Sequence, residues 1–70
     1  MVEVFKTNVQ RRSQAKLLLE ILSRKFPSFY INFDLEDCDN ILRVVSSGVE
    51  PQTINHLLQI AGFTCEELPY

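Results

Sequence analysis

The sequence predicts a single α+β domain of the ferredoxin-like βαββαβ type, with two helices packed on one face of a four-stranded antiparallel sheet. Three observations predict it. Two segments carry apolar residues at three- and four-residue steps. A strictly alternating segment stands between them. Short β-branched or aromatic runs flank the whole. Each helix then lies between two strands with a connection long enough for a right-handed crossover.

Val2 to Lys6 is rich in β-branched and aromatic residues and is expected to be the first strand. Thr7-Asn8 follows as a loop leading into a helix. From about Arg11 to Phe26, the residues Ala15, Leu18, Leu19, Leu22 and Phe26 form one apolar stripe. Arg12, Lys16, Glu20 and Arg24 lie on the other side, where two i,i+4 opposite-charge pairs add a few tenths of a kcal/mol each. Pro27 ends this helix, since it disfavours helical geometry at Phe26.

In residues 28–36, Phe29, Ile31, Phe33 and Leu35 share one face and Tyr30, Asn32 and Asp34 the other. Asp37-Cys38-Asp39-Asn40 reads as a turn, and Ile41 to Ser46 as the returning strand of a hairpin. Pro51 suits the first turn of the second helix. Ile54, Leu57, Leu58 and Ala61 form its apolar stripe, and Gly62 closes it. Phe63 to Leu68 is expected to be the last strand. The strand order expected for this topology is 4-1-3-2.

Seventy residues allow one domain, spanning 1–70. No apolar run is long enough to cross a membrane, and the first residues lack a signal-peptide layout. A cytoplasmic protein without membrane association is therefore expected. Cys38 and Cys65 are too few for a disulfide framework and wrongly spaced for a zinc clip, so both are read as reduced thiols. Charge is unevenly placed. Residues 1–27 carry Lys6, Arg11, Arg12, Lys16, Arg24 and Lys25 against Glu3 and Glu20. Residues 28–70 carry Arg43 alone against all the other carboxylates.

Three sets of residues resemble those of heavy-metal-associated domains, the family of copper chaperones and of the N-terminal modules of metal-pumping ATPases. These are Lys6-Thr7-Asn8-Val9 before a helix, Asp34-Leu35-Glu36-Asp37 running into Asn40-Ile41-Leu42, and Ile60-Ala61-Gly62-Phe63 before the last strand. The resemblance covers essentially the whole chain and implies the same βαββαβ fold. In that family a Cys-x-x-Cys in the first loop grips a soft metal ion. The matching positions here are Arg11 and Gln14, neither of which replaces a thiolate. No metal ligand is carried over, and no cofactor is expected.

The remaining candidates are few. Arg11, Arg12 and Lys16 cluster at a helix start, where a phosphate or a partner's carboxylates would dock. Cys38 and Cys65 are a weaker pair of substitute metal ligands, expected near opposite sheet edges. His56 reads as a surface histidine. Asp34, Glu36, Asp37 and Asp39 lack the spacing of a calcium loop. Phe5 and Tyr30 are candidates for an apolar patch on the uncovered sheet face. Nucleic-acid binding is not expected, given a pI near 5.2 and no aromatic residues among the basic ones. No catalytic constellation is present in the sequence.

The expected function is a non-enzymatic binding module without the family's metal site. It would act as a monomer or weak homodimer on a protein partner with an acidic surface, in an accessory role linked to heavy-metal handling. The alternatives are a metal-transport protein with an unconventional site at Cys38 or Cys65, and a small-anion sensor at Arg11-Arg12.

Overall fold

A computed structural model describes residues 1–36, 38–48 and 50–69. Its elements are β1 (Val2–Thr7), α1 (Arg12–Lys25), β2 (Tyr30–Asp34), β3 (Ile41–Val45), α2 (Pro51–Ile60) and β4 (Cys65–Glu67). The strands form one antiparallel sheet in the order β2-β3-β1-β4, with β1 and β3 at its centre. This is the ferredoxin-like α+β arrangement, with both helices on one face.

Alternation along each strand sorts its side chains between the two faces. Phe5, Leu42 and Phe33 stand in one register row, and Val44 and Ile31 in another. All five belong to the core beneath the helices, with Leu22, Ile54 and Leu58. A second cluster of Val9, Ala15 and Leu18 closes the end where β1 turns into α1, and Phe33 packs against both clusters. Phe5 is thus fully buried under the helices, not on the uncovered face. Tyr30 does lie there, in one row with Val45 and Val2, all three exposed.

Pro27 ends α1 as expected, and the Phe26 and Phe29 rings stack across it with centroids 4.7 Å apart. The end of α2 shortens the last strand. Gly62 takes φ +94°, a conformation open to glycine. Its N–H donates to the Gln59 carbonyl and that of Phe63 to the Leu58 carbonyl, at 3.0 and 2.9 Å. This paired closure consumes Phe63, which packs on the core, so β4 begins only at Cys65. Asp37, part of the expected turn and of the acidic group there, lies outside the described residues.

Candidate functional site

Three loops meet at one end of the domain. The Thr7 N–H donates to the Asp39 carbonyl at 3.2 Å, and the Thr7 hydroxyl donates to the Asn40 carbonyl at 2.6 Å. The Thr64 N–H donates to Asn8 Oδ1 at 2.8 Å. The β1–α1 loop is therefore held between the β2–β3 turn and the start of β4. Val9, fully buried in that loop, anchors it from below.

Helix α1 starts from this anchored loop. Arg11 is its N-cap residue, with extended backbone at φ −106° and ψ 140°. A guanidinium only donates hydrogen bonds, so Arg11 cannot satisfy the free amides of the first turn. Gln14 supplies the one available half of a capping arrangement. Its Oε1 accepts from the N–H of Arg11 at 3.2 Å and of Gln10 at 3.4 Å. The first turn holds no acidic residue, so its dipole meets cations instead of the carboxylates that would stabilise it. Arg11, Arg12 and Lys16 are all exposed, and among the described residues none is in an ion pair. Lys6 differs, standing 3.7 Å from Asp39.

Arg11 and Gln14 do not suit a soft metal ion. Arg11 offers no lone pair, and the oxygen of Gln14 already serves two amides. Cys38 is exposed beyond β2, whereas Cys65 is buried on β4 opposite Thr7. Burial pushes the Cys65 thiol up to about 12, so it is not a thiolate near neutral pH. Among the described residues, no three His, Cys, Asp or Glu side chains gather around a common point. His56 is exposed on α2.

One feature of this region crosses element boundaries. An open groove of about 470 Å³ runs between α1 and the outer edge of β2. Arg12 and Lys16 line it from the helix, and Arg43 lines it from β3. Its apolar lining includes Leu19 and Phe33, and Asp34 and Glu36 stand among its polar residues. Asn32, opposite Arg43 in the sheet register, also lines it, and its buried Oδ1 has no hydrogen-bond partner among the described residues. Sequence reading finds Arg12 and Lys16 but not Arg43 or Asn32. Their signal is a polar residue at the middle position of each strand, Asn32 in β2 and Arg43 in β3.

At the other sheet edge, Glu3 and Glu67 meet. Glu67 is held above the ordinary glutamate range, first by its side-chain hydrogen bond with Glu3, then by partial desolvation and by the like charge of Glu3.

Comparison of the chain with family models, with curated proteins and with solved structures finds no match. No helix among the described residues is long and apolar enough to cross a membrane.

Proposed function

We propose that the chain is a non-enzymatic binding module that engages an acidic protein surface through Arg11, Arg12 and Lys16. In this reading it is a heavy-metal-associated-like domain that holds no metal in its first loop. It works in the cytoplasm as an accessory of heavy-metal handling. The observation that carries the reading is the start of α1. Three exposed cations, without ion-pair partners among the described residues, surround a first helical turn that lacks both an acidic residue and an acceptor from its N-cap side chain. Carboxylates brought by a partner would complement both the charges and the helix dipole.

Two titrations test it. Reduced protein titrated with Cu(I) or Zn(II) against a chelator is expected to show no binding tighter than about micromolar. Stoichiometric uptake beyond that would sink the metal-free reading. Titration with an acidic peptide is expected to give binding that weakens about tenfold in R11E/R12E and falls steeply with salt. An affinity indifferent to both changes would remove Arg11 and Arg12 from the site.

A further inference from the structure

Resting on that reading, we infer that the partner segment is an extended acidic peptide that adds as a fifth strand to the free edge of β2, lying in the groove beside α1. The first support is the edge itself. Among the described residues β2 pairs only with β3, so alternate residues along Tyr30–Asp34 direct backbone N–H and C=O groups away from the sheet. The usual protections against strand addition are missing from it. Its register to β3 runs unbroken from Tyr30 to Asp34, without a bulge, and it contains no proline. Its one charged residue, Asp34, is at its end.

The second support is the groove. A peptide paired to β2 lies where Arg12 and Lys16 overhang from the helix and Arg43 reaches from the sheet. Side chains of one parity face Arg12, Lys16, Leu19 and Phe33 on the α1 side and those of the other parity face the side of Arg43, so carboxylates of either set meet a cation. The other sheet edge suits an acidic ligand poorly, because β4 is three residues long and carries Glu66 and Glu67.

The probe is a fluorescein-labelled peptide of about seven alternating Glu and Val residues, long enough to span the five residues of β2. Two further versions carry N-methyl groups on alternate residues, one version for each backbone edge. Anisotropy against the full chain is expected to show that one N-methylated version binds roughly tenfold or more weakly while the other is unchanged. The β2 amides should gain protection from hydrogen exchange when the unmodified peptide binds. The variant R12E/K16E, with its fold checked by circular dichroism, should weaken binding about tenfold. If that variant does not fold, the N-methylated pair still decides.

Equal binding of both N-methylated versions, still lost in R12E/K16E, overturns strand addition and leaves the basic site standing. No binding at millimolar peptide overturns both. An oligothymidylate that binds more tightly than the peptide and protects β2 assigns the edge to nucleic acid and overturns the proposal. So does β2 protection that rises with protein concentration alone, which assigns the edge to a second copy.

Discussion

The two open edges of this sheet differ in every respect that matters for association. β4 is three residues long, carries Glu66 and Glu67, and its neighbour Glu3 adds a further carboxylate. β2 is five residues long, mostly uncharged, and overlooked by cations from α1. A short, negatively charged edge resists pairing, whereas a longer neutral one invites it. The contrast teaches that the uneven charge along the chain becomes a spatial contrast. The basic first helix lies beside one edge, and the acidic C-terminal residues form the other.

Large-to-small changes at the inward residues of the two edges would sharpen this contrast most. Phe33→Ala on β2 removes a ring packed against both core clusters, and is expected to cost about 3 kcal/mol. Cys65→Ser on β4 places a hydroxyl where a buried thiol sat, at an expected cost of about 1–2 kcal/mol. Urea denaturation of both variants measures the difference. Equal costs would mean that Phe33, though packed against both clusters, ties its edge to the core no more strongly than Cys65 ties the other.

Gly62→Ala comes next. Open space surrounds the added Cβ, so the loss arises from φ +94° alone, at about 1 kcal/mol or somewhat more. Hydrogen exchange should then rise in β4 more than in β2, because Gly62 sets the path into β4. A uniform rise across the sheet would show that the two edges are not independent.

The smallest effect concerns pH. The Glu67 carboxyl is raised in the folded state, so below the ordinary glutamate value both states are protonated and its contribution is fully present. That contribution is lost as pH rises through the raised value. Glu67→Gln should flatten this slight decline in stability with pH, read as melting temperature between about pH 4 and pH 7. An unchanged slope would mean that Glu3 and Glu67 do not share a proton.

The elements were legible where one local pattern decided the outcome. The stripe of Ala15, Leu18 and Leu22 and the alternation from Phe29 to Phe33 both face the core as the spacing predicts. Two adjacent apolar residues defeat such reading. Val4 and Phe5 are both buried, and only the pairing of Phe5 with Leu42 shows which of them lies under the helices. β4 is shorter than its β-forming residues suggest because the closure of α2 takes Phe63 first. Arg12 and Lys16 are visible as a basic helix start. Arg43 and Asn32 are paired only by the strand register, and meet the groove of Arg12 and Lys16 only in the folded chain, which no local window contains.

The contrast between the two cysteines has a practical use. A maleimide at neutral pH should modify Cys38 at once, marking the turn beside β2 with a single dye. Cys65 should react only in molecules whose last strand has come away from Thr7. Its slow alkylation is therefore a clock for the fraying of that edge, readable by mass spectrometry without altering a residue.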